Sequence, residues 1–231
     1  MAAGTAPLDK TARDTVPKGE DRADAPPVRR VRRVQQRSTD TRRRLLAAAR
    51  DVFARNGYHA TATSDLVELS SVSRGALYHH FSDKEAIFEA VLREVALELR
   101  QDATDAVAAY AGDPWRQLKV SLQRYMEFVA VRPEAQRIVL IDAPAVLGWE
   151  RWRSIRAEIN MPGLVTNLGM LMDQHIVASQ PKEPLAQLIL AAMNEAALAI
   201  AHAPKPTRTE KLMTRALLNL IEGLKGDRGL R

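Results

Sequence analysis

The chain has 231 residues, 46% of them hydrophobic and 27% charged, with no cysteine and a formal net charge of +6 at pH 7. That length suits one large domain or two small ones around a sizeable core. The lack of cysteine excludes disulfides, thiolate zinc sites and cysteine nucleophiles.

The charge is concentrated at one end: residues 1–44 hold 12 Lys and Arg against 6 Asp and Glu, and the other 187 residues hold 22 of each. Residues 1–37 are rich in Ala, Pro, Asp, Thr and Arg and contain no aromatic residue, a composition that predicts a disordered basic arm. Within it, VRRVRRVQQR (28–37) gathers Arg29, Arg30, Arg32, Arg33 and Arg37 without an acid. Such a run is either a footprint of polyanion binding or a solvated tail.

From Ser38 onward the apolar spacing is helical, with no alternating run long enough for a strand and no internal repeat. The first helix is predicted over Thr41 to Asn56, with Leu45, Ala49, Val52 and Phe53 on one stripe and Gly57 as its stop. A short second helix follows over Asp65 to Ser70, with Thr61 or Thr63 as candidate cap. Ser73 caps a third helix beginning at Arg74, and Ser82 with Glu85 forms a capping box for a long helix to about Tyr110. Asp113 and Pro114 open a helix to about Val131, and Pro133 opens another that ends near Asp142 to Pro144. Residues 147–178 are expected to hold one or two helices interrupted around NMPG (160–163). Pro184 to Ala203 is a small-residue helix, and Thr207 with Glu210 caps a last one reaching about Leu224. The fold class is therefore all-α, with about nine helices. No apolar run approaches the roughly 18 residues of a membrane span, and the N-terminus lacks the apolar core of a signal peptide. The expected location is cytoplasmic, with no membrane partner.

The stretch SRGALYHHFSDKE (73–85) holds the chemistry. On a helix from Arg74, Leu77 and Phe81 share one face, whereas Arg74 and Tyr78 share another with Gly75 and His79 beside them. Glycine in a first helical turn costs about 1 kcal/mol relative to alanine, and its use is to let something bulky approach the backbone. His79 and His80 point about 100° apart and have no suitably spaced carboxylate, so no metal is expected.

The segment from Arg43 to Phe88 resembles the TetR family of bacterial transcriptional regulators. Ala49, Phe53, Gly57, Tyr58, Thr61 or Thr63, Ser73, Gly75, Leu77, Tyr78, His80, Phe81, Lys84 and Glu85 match its pattern in register. Ser71 departs from it where glycine is common, and Val67 where alanine is common. The resemblance implies a helix-turn-helix over 38–85 whose third helix enters the major groove. Ser73, Arg74, Gly75, Tyr78, His79 and Lys84 would be at the DNA, with Thr63 a further contact and His80 and Phe81 buttressing within. The arm arginines would track phosphates or lie in a minor groove.

Residues 86–231 resemble the family in layout only. That layout implies a ligand pocket among the middle helices and a homodimer interface from residues about 184–224. Pocket candidates are Trp115, Tyr125, Phe128, Trp149 and Trp152, with Gln123, Arg124 or Asp142 as polar anchors; aromatics at such spacing also serve as plain core. The reading is a homodimeric, ligand-responsive repressor that binds a palindromic operator and is released by an unidentified small molecule, without cofactor. An all-α enzyme or carrier is the alternative. It would need a catalytic constellation, and His59, His175 and His202 are isolated in sequence.

Overall fold

The structure, a computed structural model, describes residues 27–226, with side chains from Gln35 onward. The described residues form nine helices. They are α1 (Pro27–Asn56), α2 (Thr63–Ser70), α3 (Arg74–His80), α4 (Lys84–Val107), α5 (Pro114–Val131), α6 (133–147), α7 (Trp149–Asp173), α8 (Lys182–Ala201) and α9 (Pro206–Glu222). A 3-10 turn, Ala108–Tyr110, extends α4. The chain divides after Thr39. The earlier unit is described only as the first part of α1, and all other elements belong to the later one.

Several predicted boundaries change. Helix α1 begins at Pro27, well before Thr41, because proline fits the first helical position and nothing from Val28 to Asp40 breaks a helix. The predicted disorder thus fails over 27–37, and residues 1–26 lie outside the described ones. Neither Thr61 nor Thr63 caps α2. Thr61 Oγ1 donates to the Gly57 carbonyl at 2.7 Å, and the Asp65 carboxylate reaches back to accept from the Ala62 amide at 3.0 Å. For α4 the cap is Asp83, whose carboxylate accepts from the Ala86 amide at 2.7 Å while the Ser82 hydroxyl donates to it. Those bonds, the amide first, hold Asp83 below the usual carboxylate range. No side chain caps α9, which starts on Pro206.

Helix α6 runs past Pro144 to Leu147 and encloses a π-helical segment, Gln136–Asp142. Helix α7 runs unbroken through Pro162, contrary to the predicted interruption. Proline deprives the Glu158 carbonyl of a donor, but both residues are exposed and water can serve. Helix α8 also differs from expectation. By length and a mean hydropathy of 1.5 it is apolar enough to cross a membrane. Scattered polar residues hid this in the sequence. Leu185, Ala186, Ile189, Ala197 and Ile200 are buried against the rest of the fold, so its apolarity is also that of a core helix.

The core is continuous from the first three helices into the remainder. The α1 stripe of Leu45, Ala49, Val52 and Phe53 is buried as expected. Phe53 meets Phe88 of α4 edge-to-face at 5.2 Å, and each such side chain contributes about 1.5–3 kcal/mol on burial.

Candidate functional site

Helix α3 is held by its apolar side. Leu77 and Phe81 are buried, and the Arg42 guanidinium lies 4.4 Å over the Phe81 ring. His80 is half-buried, and its pKa is lowered first by burial, then by repulsion from His79 and Arg42. Opposite, Ser73, Arg74, Gly75, Tyr78 and His79 are all exposed. Tyr78 keeps 44% of its surface, which is unusual for so large a ring. Ser73 Oγ accepts from the Ala76 amide at 3.2 Å, the predicted cap. A Cβ built on Gly75 meets nothing within 4 Å, so nothing among the described residues requires glycine there. Thr63 is half-buried at the first position of α2.

Lys84 has internal partners. Its ammonium donates to the Tyr58 carbonyl at 3.0 Å and the Thr61 carbonyl at 2.9 Å, and lies 4.1 Å from the Tyr58 ring centre. It therefore fastens the turn after α1 to the start of α4. Lys84→Met is expected to lower stability by about 1–3 kcal/mol through two orphaned carbonyls, readable as a lower urea midpoint.

The same turn is fastened from the far side. Asp142 accepts from the Tyr58 amide at 2.9 Å, and Arg137 Nη2 donates to the Asn56 carbonyl at 3.0 Å. Arg50 of α1 pairs with Glu98 of α4 and Glu134 of α6, which hold its guanidinium above its ordinary pKa. The π-helical segment and its neighbour Glu134 thus bind the three-helix unit directly to the helical body.

That body contains a cavity of about 260 Å³ among α4, α5, α7 and α8. Of the pocket residues expected from sequence, Tyr125 walls it. The others lie elsewhere. Trp152 is fully buried, with Nε1 donating to the Val139 carbonyl at 2.7 Å. Trp115 is buried under the Lys225 ammonium at 4.7 Å, and Phe128 is half-buried under Arg132 at 4.6 Å. Arg124 is exposed and paired with Asp102 at 2.8 Å, Gln123 is half-buried, and Asp142 serves the turn. Trp149, half exposed, lines a separate surface cleft between α7 and α8. Behind Tyr125 stands Arg156, which sequence reasoning missed. Its signal was available: an arginine on the apolar stripe of Trp152, Ile155 and Ile159.

Of the arm arginines, Arg37 lies on α1, and the side chains of Arg29, Arg30, Arg32 and Arg33 are outside the described residues. Among the described residues, no three His, Asp or Glu side chains gather where a metal ion could bind.

An exposed polar helix held on a three-helix core, fastened to a larger helical body with its own cavity, defines a helix-turn-helix protein with a second helical domain. Residues 45–91 match the family described as "Bacterial regulatory proteins, tetR family", and residues 115–224 match "Tetracyclin repressor-like, C-terminal domain". A crystal structure of a TetR-family transcriptional regulator from Pectobacterium atrosepticum is 34% identical, over 83% of this chain and 97% of that one, with a TM-score of 0.71. The chain belongs to the TetR family of transcriptional regulators. The regulator UidR of Escherichia coli is 39% identical over 59 residues, 26% of this chain and 30% of UidR. The match thus spans less than a third of that curated relative. A crystal structure of RolR in complex with resorcinol shares the fold at 17% identity, over 80% of this chain and 89% of that one, with a TM-score of 0.64.

Proposed function

We propose that the chain is a ligand-responsive transcriptional repressor, acting in the cytoplasm as a homodimer on a palindromic operator. The observation that carries this is the exposed face of α3: Arg74, Tyr78 and His79 are presented to solvent around a glycine that no contact among the described residues requires. Arginine, tyrosine and histidine offer donors for phosphates and base edges, and Gly75 lets a DNA backbone come close. Ser73 and Thr63 would add phosphate contacts, and Lys84 keeps one ammonium proton for the same use. The basic run ending at Arg37 would add charge that any duplex attracts. Helices α8 and α9 leave Leu188, Leu212 and Leu220 exposed, each at 60% or more. That apolar surface suits a second copy, which would set two α3 helices about 34–36 Å apart on the DNA. An effector in the 260 Å³ cavity would favour another spacing and release the operator by shifting populations. RolR, whose structure holds resorcinol, supports an effector within this fold.

The test is a selection of genomic fragments on the purified protein, followed by a gel shift of the fragment upstream of its own gene. Recovery of a palindromic sequence supports the reading, and binding with no sequence preference ends it. Gly75→Ala sharpens the test. Alanine should leave stability unchanged or raise it by about 0.5–1 kcal/mol, yet weaken operator binding, because only the DNA meets the new methyl group. Equal affinity for the operator would remove Gly75 from the interface.

A further inference from the structure

Arg156 is 1% exposed, and no ion pair among the described residues includes it. Its guanidinium donates Nη2 to the Tyr125 hydroxyl oxygen and to Asn194 Oδ1 at 3.2 Å, and Nε to the same Asn194 oxygen at 3.4 Å. Both acceptors are neutral. A cation removed from water without an opposite charge is costly, and proteins ordinarily supply a carboxylate. Among the described residues none is supplied.

One of the two neutral partners of Arg156, Tyr125, is also a wall of the cavity. Tyr125 walls the cavity and receives Arg156 on its phenol oxygen, so the phenol proton must point away from the guanidinium. Among the described residues that proton has no acceptor. The remaining wall contains, among the described residues, no Asp or Glu but does contain Arg100, exposed and bonded through Nη1 to the Ile159 carbonyl at 3.2 Å. Leu99, Leu118, Leu122, Leu164, Leu190 and Met193 make the rest largely apolar. At about 260 Å³ the space falls just below the roughly 300–1,000 Å³ of clefts that hold drug-sized ligands.

We propose that the effector is a small organic monoanion, a carboxylate on a compact alkyl or aryl body. Its oxygen accepts the Tyr125 hydroxyl proton, with Arg156 behind as counter-charge and Arg100 at the rim. This rests on the cavity being the effector site, and it names the chemical class that site selects. Charge-assisted hydrogen bonds of this kind favour the anion over a neutral mimic by about ten- to a hundredfold.

The experiment uses the full-length protein in isothermal titration at pH 7 with two matched pairs, octanoate with octan-1-ol and benzoate with benzyl alcohol. The wild type is expected to bind at least one acid about ten- to a hundredfold more tightly than its alcohol. In Arg156→Gln that preference falls to near parity while the alcohol's affinity stays put. Arg156 acting only as a structural prop would leave the ratio unmoved. Should Arg156→Gln fail to fold by circular dichroism, the wild-type ratio alone decides. Equal binding of acid and alcohol overturns the anion assignment but leaves the cavity a ligand site. Binding of neither overturns the assignment outright. An acid that binds with the expected ratio yet never releases operator DNA upholds the anion site and sinks the effector role instead.

Discussion

Replacing Tyr78 and His79 together by alanine is expected to cut specific operator affinity by about 30-fold or more, from roughly 1–3 kcal/mol for each good contact to a base edge. The melting temperature should stay where it is. Both side chains are exposed, and surface changes of this kind usually fall within about 0.5 kcal/mol. The weaker, salt-dependent binding to unrelated DNA should survive, because phosphate attraction carries no sequence information. A gel shift against operator and scrambled duplex, paired with thermal unfolding, reads all three. Loss of affinity together with loss of stability would mean that the two residues support the fold.

The second large effect is on stability. Trp152→Ala is expected to cost about 3–5 kcal/mol, the range for emptying a large aromatic site. Trp152 is fully buried, and its Nε1 serves the Val139 carbonyl at 2.7 Å within the π-helical segment. Its removal therefore leaves both a void and an orphaned acceptor. For a chain of this size the melting temperature should fall by about 6–20 °C. Trp152→Phe should lose less, since the ring remains and only the bond goes. A fall of under 2 °C for the alanine variant, by calorimetry, would show that the neighbours close over the site.

The sequence was most legible where one local pattern decided the outcome. The Leu45, Ala49, Val52 and Phe53 stripe, the Ser73 cap and the inward Leu77 and Phe81 follow from helical spacing and a hydroxyl in the right place. Competing local signals were harder. Ser82 and Asp83 could both start α4, and the carboxylate won because an ionised acceptor makes the stronger bond to an amide. Pro162 reads as a break, yet the packing of Ile159 and Leu168 on either side holds α7 together. Long-range pairing was not legible at all. Nothing near Lys84 announces that its ammonium is used by the carbonyls of Tyr58 and Thr61, more than twenty residues earlier. The cavity shows the same limit: the tryptophans drew attention by size, whereas Arg156 and Asn194, one buried charge and one amide on different helices, form a pair only after folding.

The bonds from Asp142 and Arg137 to the turn after α1 bear on synthesis. They join residues 84 and 81 positions apart in the chain. At the roughly 5–20 residues per second of a ribosome, the reading helices are made several seconds before the groups that finish their turn. A nascent chain that stops short of Arg137 therefore carries the whole helix-turn-helix sequence without the side chains that bond the Tyr58 amide and Asn56 carbonyl. The turn after α1 takes its final set of bonds only after the segment that supplies Arg137 and Asp142 has been made.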